Sequence, residues 1–304
     1  MRVLVTGATG YIGGSVAARL LSAGHEVIGI VRSEEKAARL SSLGIEPIIA
    51  TLADLGTLAD AARKADAIIN AADADNSLVV HSLLDAIEGS KKRFIHTSGS
   101  SVVADRAAGG VSEAIFTEDI PFEPLPERLL RVAVDRLVLA AALRGVHSVV
   151  IRPALIYGRG HGLNPHSVQI PRLIELAKQH RIARHVGRGL NIWSHVFIDD
   201  VVDLYLLALA NAPAGSLFYA ENGETSWKSM ASAVGRALGF GAETRDWPVE
   251  EAVAAWGVSA ITSFGSNSRV RSFKARRMLG WNPIGPQLID EIEHGCSHED
   301  FGPK

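Results

Sequence analysis

Short apolar runs alternate with amphipathic, helix-prone segments through the first half of the chain. VLV at 3–5 is followed by a helical pattern from about Ser15, EVIGIV by another from about Ser33, and IEPIIA by a third from about Leu55. DAIINAA, a helical LVVHSLLDAI and RFIHTSG continue the series. Apolar runs of four to eight residues between turn signals suit strands covered on both faces. Their regular alternation with helices predicts an α/β fold built on a doubly wound parallel sheet. No repeat or low-complexity segment interrupts it, and the loops between elements are short.

Composition narrows this picture without redirecting it. A chain of 304 residues can bury a large core, as one α/β domain or as such a domain with a smaller lobe. With 47% apolar residues, 21% charged residues and a formal charge of -2, it has no electrostatic case for nucleic acid or an acidic membrane, which leaves a small molecule as the expected partner. The single cysteine, Cys296, can form no internal disulfide and lies far in sequence from every motif below. The chain opens directly into a strand with no charged n-region or cleavage site, and no apolar run reaches about 18 residues. The expectation is a soluble, cytoplasmic protein.

Candidate chemistry begins where the first apolar run ends. Gly7, Gly10 and Gly13 follow at the spacing G-x-x-G-x-x-G, between a strand pattern and a helix pattern that Gly24 closes. In such a turn the first glycine permits a tight reversal, the second lets backbone approach a pyrophosphate, and the third lets helix pack on strand; the helix N-terminus supplies free N–H groups. Thr9, Tyr11 and Ile12 belong to the same cradle. The end of the second strand decides between ribose chemistries, since an acid there binds a 2′-hydroxyl and a cation meets a 2′-phosphate. Val31 and Arg32 stand there, so the residues favour a 2′-phosphate; the alternative is a loop arginine paired with Glu34 or Glu35. Asp54, beside Leu55 at the exit of the third strand, either faces the adenine edge or caps the next helix. Asn70, Ala71 and Ala72 end the fourth strand with small side chains that leave room for a cofactor.

These residues carry a resemblance. TGATGYIGG, with NAA and HTSGSS at the ends of the fourth and fifth strands, resembles the extended branch of the short-chain dehydrogenase/reductase superfamily, the NAD-dependent epimerase/dehydratase-like proteins. It implies a Rossmann-like fold and a nicotinamide cofactor, NADP given Arg32, with NAD as the alternative. SVVIRPALIYGRG is similar to the family's sixth strand and its exit, which implies that Pro153, Ala154 and Leu155 touch the nicotinamide side. Tyr157 and Gly158 then shape the turn into a substrate lobe, the tyrosine offering a spare proton donor. SHVFIDDVVDLYLLAL resembles a segment that returns to the sheet, with Asp199 or Asp200 capping the helix that follows, and FKARRMLGWNPIGP resembles the family's C-terminal element. The division expected is a dinucleotide-binding domain over 1–155, rejoined by 190–215, and a lobe from 156–189 and 216–304. The five tryptophans, Trp193, Trp227, Trp247, Trp256 and Trp281, all fall in the second half, most as core and one or two lining a pocket. The family's dimers form through the helices after the fourth and fifth strands, here LVVHSLLDAI and LLRVAVDRLVLAAAL, which implies a homodimer.

The centre of the chain departs from the family. By resemblance the active site uses a Ser or Thr after the fifth strand and a Tyr-x-x-x-Lys pair on the next long helix, the phenol exchanging a proton beside a hydride transfer. Alignment puts Gly99 at the hydroxyl position, flanked by Ser98 and Ser100, with Glu127 at the tyrosine and Arg131 at the lysine. No realignment restores the phenol, because no tyrosine stands between Tyr11 and Tyr157. Ser98, Ser100, Glu127 and Arg131 are therefore the catalytic candidates. The plainer reading is an i, i+4 ion pair between Glu127 and Arg131 and serines that only cap a strand. His161 and His166 lack a carboxylate or cysteine at ligand spacing, so no metal site is expected. The resemblance implies an atypical oxidoreductase acting on a small carbonyl or sugar-like substrate. A nucleotide-sugar epimerase or dehydratase, and a non-catalytic NADP(H)-binding redox sensor, are the alternatives.

Overall fold

A computed structural model describes residues 1–301. The alternation becomes β1 (Arg2–Thr6), α1 (Tyr11–Ser22), β2 (Glu26–Val31), α2 (Glu34–Ser42), β3 (Glu46–Ile49), α3 (Leu55–Lys64), β4 (Ala67–Asn70), α4 (Ser77–Ala86) and β5 (Arg93–Thr97). An irregular stretch then leads through a 3₁₀ turn, Pro126–Arg128, into α5 (Leu129–Ala140) and β6 (His147–Pro153). Beyond it lie β7 (Leu155–Tyr157), α6 (Gln169–His180), β8 (Ala183–Val186), β9 (Ile192–Phe197), α7 (Ile198–Asn211) and β10 (Ser216–Ala220). The chain closes with β11 (Glu224–Ser226), α8 (Trp227–Ala237), β12 (Thr244–Trp247), α9 (Val249–Trp256), α10 (Phe273–Leu279), α11 (Leu288–His294) and α12 (Cys296–Phe301).

The central sheet has seven strands in the order β10-β6-β5-β4-β1-β2-β3, all parallel. This is the Rossmann-like doubly wound sheet. Its order reverses at β1, which pairs with both β2 and β4, and a crevice opens at the carboxyl ends of strands at such a switch point. The buried runs Val3–Val5, Ile68–Ile69 and Val149–Ile151 explain why these strands are apolar on both faces: helices cover each side.

Two local expectations shift. α1 starts at Tyr11, four residues before Ser15, so Gly13 and Gly14 lie inside the helix. They are there for close approach: a Cβ on Gly13 would sit 2.3 Å from the Gly7 carbonyl oxygen, and one on Gly14 would sit 3.1 Å from the Cα of Gly162. The segment SHVF adds no strand to the central sheet; β9 pairs with β7 and β11 in a separate three-stranded sheet. The return is made instead by α7 and by β10 at 216–220, beyond the expected limit at 215, because β10 pairs residue by residue with β6.

Buried apolar side chains gather in two clusters. One fills the central sheet and its helices, and also takes in Val270, Ala275, Leu279 and Trp281 from the C-terminal part. The other joins β7, α6, β8, α8 and α11 around Trp193, Trp227 and Trp247. Four of the five tryptophans are buried core, and Trp256 is partly buried against the second cluster.

Candidate active site

At the tip of β1, Gly7 has φ +75°, a left-handed conformation that L side chains rarely adopt, and a Cβ there would lie 2.6 Å from the Ala71 carbonyl oxygen. Beyond the two strand tips, Gly7 and Ala71 thus approach through backbone alone. Gly10 opens α1 with extended backbone, and no side chain caps it, so the first-turn N–H groups are left for a ligand. A nicotinamide dinucleotide fits this chemistry: the tight glycine turn, the uncapped helix start and the small strand tips match the needs of a pyrophosphate.

A cavity of about 620 Å³ lies on one side of this turn, lined by Gly7, Thr9, Gly10, Val31, Arg32, Lys36, Ala71, Ala72 and Asp73, with Thr51 and Leu52 at its edge. Arg32 is exposed here and forms no ion pair with Glu34 or Glu35 among the described residues. Lys36, in the first turn of α2, joins it at the same wall. Sequence reasoning passed over that lysine; its four-residue spacing from Arg32 was the available signal. Asp54 is not among the residues lining this cavity and makes no side-chain cap to α3: its carboxylate accepts from the Thr51 N–H at 2.7 Å and the Thr51 hydroxyl at 2.8 Å. These bonds hold its carboxyl below the ordinary carboxylate range. Leu55 begins α3 and packs partly buried against the core, away from the cavity wall.

A second cavity, of about 460 Å³, lies on the other side of the turn. Tyr11 and Ile12 form one wall; Ser98, Gly99, Ser100 and Ser101 the floor; Pro153, Ala154 and Ile156 the β6 side; and Arg128, Arg131, Ser167, Val168, Gln169, Trp193 and Ser263 the rest. The structure therefore brings together Ser98, Ser100, Arg131, Pro153 and Ala154 from three separate stretches of the sequence. It leaves out Leu155, which is 1% exposed and points into the second cluster, because alternation along an extended chain sends Ala154 and Ile156 to the cavity instead.

Glu127 is also left out. It lies in the 3₁₀ turn before α5, where its own backbone N–H first, and then its pairing with Arg106, keep its carboxyl low. The i, i+4 pair with Arg131 does not form. Arg131 instead makes a bidentate pair with Asp75, at 2.9 Å from Nε and 2.6 Å from Nη2, and its Nη1 donates to the Ser101 hydroxyl at 3.3 Å. A side chain four residues away lies outside the helix here, so helical spacing no longer governs the pairing.

The serines divide by their hydrogen bonds. Ser98 Oγ donates to Asp135 Oδ2 at 2.9 Å, and Asp135 in turn takes the Nε of Arg152 at 2.8 Å. Both members of that ion pair are buried beneath the floor. Ser100 shares a 2.9 Å bond with the Ser268 hydroxyl. Ser101 accepts from Arg131 and keeps its own proton. Below Ser98, Thr6 donates to Asn70 Oδ1, which orients the amide to donate to His96 Nδ1 at 3.0 Å and leaves the imidazole proton on Nε2. That proton points towards Asp135 Oδ1, 3.9 Å away.

No tyrosine is free to replace the missing phenol. Tyr11 donates to the Gly158 carbonyl at 2.8 Å and Tyr157 to that of Pro286 at 2.6 Å, and burial pushes both hydroxyls above their ordinary range. Gly158, at φ +96°, does turn the chain towards the lobe. Neither Asp199 nor Asp200 caps α7: Asp199 pairs with His161, and Asp200 accepts from the Ile284 and Gly285 N–H groups. His166 lies 3.8 Å from Asp300.

Comparison with known proteins gives a consistent result. A family model described as the NAD dependent epimerase/dehydratase family matches residues 3–218. The uncharacterized protein C2A9.02 of Schizosaccharomyces pombe is 32% identical, over 96% of this chain and 98% of that protein. The 4-hydroxy-2-methyl-3-oxo-4-farnesyl-3,4-dihydroquinoline-1-oxide ketoreductase of Stigmatella aurantiaca is 30% identical over 84% of this chain and 78% of its own. The UDP-glucuronic acid 4-epimerase of Bacillus cereus, solved with UDP-glucuronic acid and NAD, superposes with a TM-score of 0.77 at 20% identity, covering 99% of both chains. With the match to the family model spanning most of the sequence, the glycine turn at the switch point and the seven-stranded sheet have one account: this chain belongs to the NAD-dependent epimerase/dehydratase family of the short-chain dehydrogenase/reductase superfamily.

Proposed function

We propose that this protein is an NADP(H)-dependent reductase of a small carbonyl compound, with 1–155 rejoined by α7 and β10 as its cofactor domain and the remaining lobe closing over the substrate. The observation that carries the cofactor choice is the pair Arg32 and Lys36 on the wall of the 620 Å³ cavity, two cations where a 2′-phosphate would lie. A bound nicotinamide supplies the hydride. The chain's own part is to hold a carbonyl beside it, and the second cavity carries suitable donors. Arg131 is fixed by Asp75 and reaches Ser101, whose free proton can meet a carbonyl oxygen. Ser98 has given its proton to Asp135, so it positions the floor and donates nothing upward. The proton that accompanies hydride then comes through water or Ser101, and turnover is slow compared with an enzyme that has a phenol. The resemblance to a ketoreductase supports reduction over epimerisation. Exposed Leu78 on α4 and Leu129 and Leu130 at the start of α5 support a homodimer through these helices.

Oxidation of NADPH, followed at 340 nm over a panel of ketones and aldehydes, tests the reading. Turnover of at least one ketone, faster with NADPH than with NADH, is expected. Tight NADPH binding without turnover of any panel member would turn the assignment to a cofactor-binding sensor.

A further inference from the structure

The second cavity holds an unbalanced charge. Among its described lining residues the acid–base side chains are Tyr11, whose hydroxyl is committed to Gly158, and two arginines; no carboxylate lines it. Arg131 is neutralised by its bidentate bond to Asp75. Arg128 is not. Its Nη2 makes two long contacts, 3.3 Å to the Thr262 carbonyl and 3.4 Å to the Thr262 hydroxyl, and its Nε is buried with no partner. Burial first and the neighbouring Arg131 second disfavour its charge, and Asp75 and Glu127, each bonded to another arginine, only partly offset this. Such a guanidinium is costly unless an anion completes it, because a buried donor without an acceptor carries its full desolvation penalty.

Resting on the reductase reading above, we propose that the substrate carries an oxyanion, a carboxylate or a phosphonate-like group, which Arg128 binds while the carbonyl meets Arg131 and Ser101. Positions 128 and 131 are one turn apart at the start of α5, so their Cβ atoms are roughly 5–6 Å from each other. A carbonyl with its anionic group two or three bonds away spans that gap, as a β-keto acid does. Arg128 is then a specificity-determining residue: it separates acids from their neutral analogues through its terminal guanidinium nitrogens, of which Nη2 has only two long contacts and Nη1 makes no hydrogen bond among the described residues.

Calorimetric titration of the full-length protein in excess NADP⁺ tests this without turnover, since the oxidised cofactor has no hydride to give. The probes are acetoacetate, 3-oxohexanoate and 2-oxopropylphosphonate, each against the neutral ethyl acetoacetate. At least one anionic probe is expected to bind at least about tenfold more tightly than the ester, the scale of one charge-assisted hydrogen bond. Which of the three binds best distinguishes carboxylate from phosphonate and short chain from long. Arg128→Gln should erase most of the preference, roughly ten- to hundredfold, and Arg128→Lys should keep part of it. Equal binding of acid and ester by the wild type overturns the proposal, as does a parallel loss of both in Arg128→Gln with the preference intact. If the wild type binds the anionic probes selectively yet reduces no ketone, the anion site stands and the reductase reading falls.

Discussion

Single side chains carry the sharpest differences between cofactors and between catalytic roles. Arg32 is exposed, unpaired with its neighbouring glutamates and set on the cavity wall beside Lys36. Replacing it with alanine is expected to cost roughly 1–3 kcal/mol of NADPH affinity, the range for a hydrogen bond to a charged group, with a much smaller effect on NADH. Thermal shifts at equal cofactor concentrations report both, and equal losses for the two cofactors would remove Arg32 from phosphate recognition. Glu127 and Ser101 make a second contrast. The glutamate is paired with Arg106 outside the cavity, whereas the serine sits on its floor with a free proton. Glu127→Gln should leave kcat within about twofold, while Ser101→Ala should lower it by about 10²-fold, the effect of removing one donor to a developing oxyanion. A collapse in Glu127→Gln would make the glutamate part of the chemistry after all.

Elements in the C-terminal part are held by carboxylates that clasp backbone and arginines rather than by long helices of their own. Asp200, at the start of α7, accepts from Ile284 and Gly285 N–H groups, and its own carbonyl accepts the indole N–H of Trp281 at 2.8 Å. Glu224 on β11 takes Arg269 Nη2 at 2.7 Å and Arg271 Nη1 at 3.0 Å, which ties the 268–272 strand-like segment to the small sheet. Those bonds, Arg269 first, hold the Glu224 carboxyl down to about 2. Glu224→Gln is expected to cost about 1–2 kcal/mol in urea unfolding, the scale of charged hydrogen bonds reduced by screening at a partly exposed site. An unchanged midpoint would show that the apolar contacts of Trp193 and Val270 hold the segment alone.

At the scale of the whole molecule, the buried histidines weaken the fold in acid; His185 is lowered by burial, and His96 and His195 fall further. Burial lowers the pKa of His96, with Arg131 adding to it, to about 4, and burial alone lowers His195 to about 4. An unfolded histidine titrates near 6.5, so between pH 6.5 and 4 the unfolded chain binds two protons that the folded chain does not. Stability is therefore complete above pH 6.5 and falls as the pH drops towards 4, with a slope approaching about 2.7 kcal/mol per unit. Glu224 works in the same direction at lower pH, its contribution present above the ordinary glutamate range and lost as the pH falls towards 2. Melting temperature measured from pH 8 to pH 4 checks this, and a flat profile between 6.5 and 5 would contradict it. For assembly, light scattering at micromolar concentration is expected to give twice the chain mass, and Leu129→Glu to return it to a monomer. A monomer for the wild type would leave α4 and α5 as covers for the sheet only.

Periodicity and glycine spacing were enough to read the doubly wound sheet and the glycine turn at its first strand, because each depends on local backbone and nearest-neighbour packing. The apolar runs can be buried only as strands between helices; Gly13 is demanded by Gly7 within the turn, and Gly7 by its own left-handed backbone, although Ala71 across the sheet crowds it as well. The catalytic end was not legible in this way. Arg128, Trp193 and Ser263 reach one cavity from separate parts of the chain, while Asp75 and Asp135 bond its Arg131 and Ser98 from behind, and nothing local marks them. Glu127 and Arg131 share a helical spacing that foretold their pairing, yet each found a nearer partner across space, Arg106 and Asp75. Side-chain charges pair with whatever the tertiary fold brings within reach, while backbone conformation answers mainly to its neighbours in sequence. Strand, helix and glycine turn were therefore determined by the sequence itself, and only the folded molecule decided which arginine was neutralised and which was left facing the cavity.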